Sequence, residues 1–250
     1  MPQSPSHQEA GPNRIFSEQE LLDFSKDCMD LALEALDAGD LEKARFWCRR
    51  EAATKNHMHD VYMDWVAALC SYICEEQGEE TAVQVIRERM VAKISNAEFV
   101  AEKQRIVREE GLRAWVTWCI EMARQHHSHP GLTVEEDDEK ITITLNPCGS
   151  GGRMIAAGLF EGEKGYRKLR NPGPHTWGET DLPIYCAHCP WAHEIIPIQT
   201  GGPGAQLWVH AAPFPKNPGD PCIHVIYKNP ADIPEKYYER LGMKKQPGAD

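Results

Sequence analysis

The sequence lacks long hydrophobic segments and is short of positive charge. No apolar run approaches the ~20 residues that a membrane-spanning helix needs. Met1–Asn13 is polar, without the basic start and apolar stretch of a secretory signal. Lys and Arg total 27 against 38 Asp and Glu, a formal net charge of −11, which would repel nucleic acid and anionic lipid. We therefore expect a cytoplasmic protein whose partners are neither nucleic acids nor membranes.

Proline is absent between Pro12 and Pro130, which suits packed helices because proline interrupts a helix interior. After a disordered lead-in over residues 1–16, Ser17 and Glu20 form a capping box. Apolar residues then recur at helical spacing over residues 17–129, and Gly39-Asp40 and Gly78 mark helix ends. This helical N-terminal half is predicted to contain helices over residues 21–36, 41–55, 58–77 and 79–93, and one long or broken helix over 96–127.

The composition changes at His126–Asp138, an acidic stretch with a Pro-Gly pair that we interpret as a linker. Residues 139–243 hold most of the prolines and glycines and form a second half. Strands are predicted at Lys140–Leu145, Gln206–Phe214 and Cys222–Lys228, the last two as a hairpin, followed by a helix over Asp232–Leu241. The expected fold class is α+β, with the helical half packed on a small antiparallel sheet with flanking helices.

The strongest functional signal is a cluster of cysteine and histidine. The chain has nine cysteines, which in a reducing compartment are free thiols or metal ligands rather than disulfides. Cys186 and Cys189 lie three residues apart, and His193 would share a helical face with Cys189. Thiolate and imidazole suit zinc or, alternatively, iron. We predict a metal site formed by Cys148, Cys186, Cys189 and His193; the alternative is buried cysteines without metal.

The segment from Cys148 to Arg153 contains three glycines after a predicted strand. Backbone N–H groups of Gly149 and Ser150 could face an anion there, and Arg153 could hold a substrate carboxylate. The alternative is a tight turn without a ligand. Cys148 could also act as a nucleophile with a nearby histidine as base.

Other polar groups are weaker candidates. Glu194 or His175 could transfer the proton in a hydrolytic reaction. A polar set at the start of the third predicted helix could bind a metal or hold a substrate, or form a solvated face or a hydrogen-bonded seam between the halves; it consists of His57, His59, Asp60 and Asp64. His126, His127 and His129 are interpreted as a solvated helix end.

Several of these motifs resemble one family. The pattern His57-x-His59-Asp60-x-Tyr62-x-Asp64-Trp65, with the cysteine pair and Gly219-Asp220-x-Cys222-x-His224, is similar to proteins grouped with L-2-amino-thiazoline-4-carboxylic acid hydrolase. The likeness covers about residues 40–230. It implies hydrolysis of a C–N or C–S bond in a small heterocyclic acid. Residues 214–218 depart from the family's pattern, so the substrate itself is not carried over.

Together these features predict a metal-dependent hydrolase or lyase acting on a C–N or C–S bond of a small organic acid, in which the metal lowers the pKa of a bound water to about 7. One alternative is a metal-free cysteine hydrolase using Cys148. Another is a small-molecule sensor or binding module with a structural zinc. A homo-oligomer is compatible with the sequence, which does not determine the oligomeric state.

Overall fold

The computed structural model describes residues 15–92, 95–126, 131–202, 204–212 and 214–245. Most of the lead-in, His127, His129, Pro213 and the end of the C-terminal tail lie outside the described residues. The chain divides into two compact units, residues 1–61 and 62–250. Within the described residues, no helix combines the length and the apolar character needed to cross a membrane.

The first unit is built from α1 (Glu18–Asp23), α2 (Cys28–Asp37) and the start of α3 (Leu41–Gln77). The predicted capping box at Ser17 is present. The single helix predicted over residues 21–36 is wrong, because Asp27 accepts a hydrogen bond from the backbone of Met29 and begins a new helix. A small core holds Leu31, Ala32 and Trp47.

Long helices form the first part of the second unit. The helices predicted over 41–55 and 58–77 are one continuous α3, since no glycine or proline interrupts that stretch, and it ends at Gly78 as predicted. The following helices are α4 (Glu79–Val85) with a π-helical turn (Ile86–Val91), α5 (Ala97–Glu109) and α6 (Leu112–Gln125).

A four-stranded antiparallel sheet has the order β1-β2-β6-β5. Its strands are β1 (Leu132–Glu136), β2 (Lys140–Leu145), β5 (Val209–His210) and β6 (Cys222–Tyr227). A separate two-stranded pair contains β3 (Lys168–Leu169) and β4 (Leu182–Pro183). The helices and the antiparallel sheet make this an α+β fold, as predicted.

Three sequence expectations for this region need correction. The segment interpreted as a linker contains β1, an edge strand whose acidic side chains face solvent, and the division between units lies instead between Val61 and Tyr62. The strand predicted over Gln206–Phe214 is limited to β5, although the hairpin with β6 is confirmed. The terminal helix shortens to Lys236–Glu239, because Asn229 caps a separate 3-10 turn that includes Asp232.

Alternation along the strands decides which side chains face which core. On β2, Ile141, Ile143 and Leu145 are buried and pack against Trp115 and Cys119 of α6. On β6, Cys222, His224 and Ile226 share this face, because the register pairs them with Leu145, Ile143 and Ile141. Val225 and Tyr227 face a different core beside the C-terminal helix. The sheet thus directs one cysteine and one histidine of β6 toward the same side.

Candidate functional site

A continuous helical segment, residues 184–201, carries the predicted cysteine–histidine motif. It consists of a 3-10 turn (Ile184–Ala187), α8 (His188–Pro190), a π-helical turn (Trp191–Ile195) and α9 (Ile196–Gly201). The Ser95 hydroxyl donates to the Ala192 carbonyl at 3.0 Å, and Gln104 donates to the Gly201 carbonyl at 2.6 Å. Single π-helical turns are frequent at functional sites, and this one contains His193.

Three side chains of the second unit converge in a geometry that could hold a metal ion. One ligand atom from each of Cys189, His193 and His210 lies within 4.8 Å of the others. Cys189 and His193 come from the helical segment, four residues apart as predicted. His210, on β5, was not identified from the sequence. We call these three residues the Cys-His-His group.

A second histidine lies beside this group on the sheet. His224 pairs directly with His210 across the β5–β6 ladder, and their ring centroids are 4.2 Å apart. The His193 ring lies 5.2 Å from that of His210 and 4.5 Å from that of Trp208. The sequence signal for this cluster is the alternation in Trp208-Val209-His210 and Cys222-Ile223-His224, which places the outer residues of each triplet on one sheet face.

Burial disfavours the charged form of the imidazoles in this cluster, and several of their nitrogens have no hydrogen-bond partner in the described part of the chain. Burial lowers the pKa of His193 and His210 well below the usual range, and that of His224 to about 3. Among the described residues, neither ring nitrogen of His210 or of His224 has a hydrogen-bond partner, although all four are buried. Since buried polar atoms are nearly always satisfied, these free nitrogen atoms fit a ligand. A metal requires neutral imidazole.

Cys189 is the sulfur donor of the group. Burial raises the pKa of its thiol well above the ordinary value, so the thiol is protonated until a metal displaces the proton. His188 Nδ1 lies 2.6 Å from the Tyr185 carbonyl, which fixes the proton on Nδ1. Its Nε2 then faces the Cys189 sulfur at 3.6 Å. His188 therefore orients the thiol of Cys189.

Glu194, predicted to transfer protons, forms a buried ion pair, and its carboxylate accepts hydrogen bonds from three different residues. Arg240 Nη2 donates to its carboxylate at 2.7 Å. Trp177 Nε1 donates at 3.0 Å, and the backbone N–H of His210 donates at 2.9 Å. Only 1% of the Glu194 side chain is exposed, so the carboxylate is not accessible to a substrate. Its hydrogen bond to the backbone of His210 instead holds β5 against the helical segment.

The other predicted metal ligands, Cys148 and Cys186, lie outside the Cys-His-His group. Cys186 packs in the apolar core beside Ile184 and Met154. Cys148 follows β2, where its sulfur accepts backbone N–H groups of Ser150 and Gly152 and a hydrogen bond from the thiol of Cys222. These donors lower the pKa of Cys148 to about 6, the Cys222 bond contributing most.

The predicted carboxylate-binding residues lie next to Cys148. Arg153, on α7 (Gly151–Ala156), points its Nη1 toward the Gly149 carbonyl at 3.5 Å. The hydroxyl of Ser150 is hydrogen-bonded to Tyr185. The nearby surface acid Glu161 pairs with Lys168 at 2.7 Å. Arg153 is half-buried, and the loop remains a candidate for binding an acid.

The remaining candidates come from other elements, and only His126 lies near enough to act electrostatically on Cys148 and His193. His175 lies in a 3-10 turn (Pro174–Thr176), where burial lowers its pKa and the charge of Glu79 opposes that shift. In the first unit, His59 Nδ1 lies 3.7 Å from Asp60. In the second unit, the Tyr166 hydroxyl donates to Asp64 at 3.3 Å. His126 Nδ1 lies 2.7 Å from the Met122 carbonyl at the end of α6. None of these joins the Cys-His-His group in the part of the chain described.

Comparisons with family models, curated proteins and solved structures gave no match to this chain.

Proposed function

We propose that this protein is a metal-dependent hydrolase or lyase that acts on a C–N or C–S bond of a small organic acid. The observation that carries the proposal is the Cys-His-His group, whose three ligand atoms lie within 4.8 Å of one another. One sulfur and two imidazoles are the donors that zinc prefers, while iron is the second choice. A zinc ion there would polarise the scissile bond and activate water.

Three donors support a catalytic rather than a structural site. Structural zinc sites are closed by four protein ligands, whereas catalytic sites keep one position open for water or substrate. Within the described residues the group has three members. This favours the enzyme over the sensor with a structural zinc, and a fourth protein ligand in a metal-bound structure would reverse that preference.

The residues around the group supply the remaining roles in this proposal. Glu194 orients His210 through the backbone of β5, and His188 orients Cys189. His224, whose ring lies 4.2 Å from that of His210, supports the position of this ligand. Arg153 and the Gly149–Ser150 turn bind the carboxylate, as the acid substrate suggested by the family resemblance requires.

A second candidate, the metal-free cysteine hydrolase, rests on one specific observation. Hydrogen bonds from Cys222, Gly152 and Ser150 lower the pKa of Cys148 to about 6, so this thiol is largely ionised at neutral pH. In this case Cys148 attacks the substrate directly, and removal of metal has no effect on the rate.

Metal analysis separates the two candidates. We expect purified protein to contain about one zinc or iron per chain, measured by plasma mass spectrometry, because the group is a single site. Cys189→Ser should lose the metal, while Cys148→Ser should retain it. The activity assay uses 2-amino-thiazoline-4-carboxylate and related cyclic acids, with chelator and then zinc added. Metal-free protein with full activity would overturn the metal proposal and leave the Cys148 candidate.

A further inference from the structure

The part of α3 that lies in the second unit carries apolar side chains on two opposite faces. One face packs into the core of this unit with buried side chains, among them Met63, Ala67 and Cys70. The other face bears four large side chains that are 55–64% exposed; they are Tyr62, Trp65, Leu69 and Tyr72. We call these four residues the α3 stripe. Single exposed apolar residues are common on protein surfaces, whereas a contiguous set marks an interaction surface.

The spacing of the α3 stripe is that of two helices packed side by side. Its successive members are three, four and three residues apart, which is the a/d pattern of a helix–helix seam. Between Tyr62 and Tyr72 the only charged residue is Asp64, whose carboxylate accepts a hydrogen bond from the Tyr166 hydroxyl at 3.3 Å. The centres of protein interfaces are enriched in Tyr and Trp and depleted of charge. The stripe therefore fits an apolar face of another helix.

A second copy of this chain supplies such a helix. In an antiparallel pair related by a two-fold axis, Trp65 lies opposite the partner's Leu69, so that a large side chain meets a smaller one across a self-complementary seam. A parallel pair would instead bring the exposed Glu75 and Glu76 of both copies together, where like charges repel. Charge and side-chain size thus both favour the antiparallel arrangement.

The exposed area of the α3 stripe is large enough for a reversible dimer. Side chains of this size have roughly 150–250 Å² of surface, so four of them, more than half exposed on each of two copies, would bury on the order of 1,000 Å². This value is near the lower limit for a specific interface. We propose that the α3 stripe pairs with the same stripe of a second copy, with the two helices antiparallel. The pairing does not involve the Cys-His-His group and does not depend on the proposed enzyme activity.

Sedimentation equilibrium of the full-length protein tests the proposal. We expect a monomer–dimer equilibrium with a dissociation constant on the order of micromolar, because the interface is small. Leu69→Glu puts a charge into the seam and should raise that constant at least about 100-fold. The matched control is Leu33→Glu on α2, which changes a leucine that is 52% exposed in the first unit and should leave the constant unchanged.

Three results would overturn the pairing of two stripes. They are a parent protein that is monomeric at every concentration, a Leu69→Glu variant that dimerises as the parent does, and equal weakening by Leu69→Glu and Leu33→Glu. The first result requires no substitution, so it does not depend on the folding of a variant.

The orientation of the two helices is tested by Glu76→Cys with mild oxidation. In the antiparallel pair the two-fold axis passes beside Ala67, so the two cysteines would lie about 27 Å apart along the helices at about 1.5 Å per residue. We expect no disulfide between them, whereas a parallel pair would place them side by side. Peptide mass spectrometry distinguishes such a link from disulfides of the exposed Cys48. A disulfide joining position 76 of both copies would overturn the antiparallel arrangement.

Discussion

The Cys-His-His group and Cys148, to which the Cys222 thiol donates a hydrogen bond, lie in the same unit, but their donor atoms have different partners. In the described part of the chain, the nitrogens of His210 have no protein partner. The sulfur of Cys148, by contrast, already receives a thiol and two backbone N–H groups. A buried polar atom without a hydrogen-bond partner raises the free energy of the native state, so a bound metal stabilises it. A sulfur that already accepts hydrogen bonds is stabilised less by a metal. On this difference rest the proposals of metal binding for the Cys-His-His group and of thiol reactivity for Cys148.

The largest effect expected from this comparison is on metal affinity. His210→Ala removes a ligand atom and should weaken zinc binding by more than about 100-fold, since even residues that only orient a ligand cost 10- to 100-fold. His224→Ala, which changes a neighbour of the ligand, should cost about tenfold. Competition titration with a chromogenic chelator measures both. His175→Ala is the matched control, and an affinity loss there as large as in His210→Ala would contradict the assignment.

The second effect tests what holds the group together. Glu194→Gln leaves the buried Arg240 without its carboxylate and should lower the free energy of unfolding by about 3–5 kcal/mol. It should also weaken zinc binding, because Glu194 accepts the backbone N–H of His210. Urea denaturation followed by tryptophan fluorescence measures the stability.

The control for Glu194 is an ion pair at the surface. The side chains of Glu179 and Lys216 are 37% and 57% exposed and lie 2.8 Å apart. Glu179→Gln should change the free energy of unfolding by at most ~1 kcal/mol. An equal decrease in the free energy of unfolding for the two substitutions would show that the buried ion pair stabilises the protein no more than a surface pair does.

Much of the fold followed from local sequence patterns. The alternation in Lys140–Leu145 predicted β2 with its bounds, and Gly78 marked the end of α3. β1 was missed because Glu135 and Glu136 suggested a solvated linker, whereas an edge strand can carry acids on its exposed surface. Such errors arise because strand pairing depends on residues far away in the sequence.

The candidate site was only partly predictable for the same reason. Helical spacing brought Cys189 and His193 together, since a four-residue step lies on one helix face. Cys186 was grouped with them by its motif, but the 3-10 turn directs it into the apolar core. His210 joins through the β5–β6 hairpin, and no local motif contains it. Strand alternation could have placed it beside His224, but not beside the helical segment.

A third prediction concerns the packing between the two sites. A methyl group at Gly151 would lie 2.4 Å from the Cys186 sulfur. Alanine is favoured over glycine in a helix by about 1 kcal/mol, but overpacking costs about 1–3 kcal/mol. We therefore expect Gly151→Ala to lower the free energy of unfolding, with zinc content unchanged.

The double variant Gly151→Ala/Cys186→Ala identifies the contact responsible. Removing the sulfur leaves space for the added methyl group, so the two changes together should cost less than the sum of the single changes. Additive losses would mean that the glycine is needed for another reason than its contact with Cys186.

The smallest expected effect is on the reactivity of Cys148, and it sharpens the contrast between the two sites. Its pKa is lowered to about 6, chiefly by the thiol of Cys222, while a model thiol has a pKa near 8.5. A less basic thiolate is also a weaker nucleophile, with a Brønsted slope of about 0.4–0.5. At pH 7 these effects nearly cancel, so alkylation by iodoacetamide should exceed that of the model thiol by only about two- to threefold. At pH 5.5 the advantage should reach the order of tenfold, since Cys148 is still partly ionised.

The lowered pKa of Cys148 also stabilises the native state. This stabilisation is fully present above the ordinary thiol pKa of about 8.5, and it is lost as the pH falls through about 6. Cys222→Ala removes the main donor and should move the midpoint of the rate profile upward, as mass spectrometry of the Cys148 peptide would measure. A midpoint near 8.5 in the parent protein would show that the donors do not stabilise the thiolate.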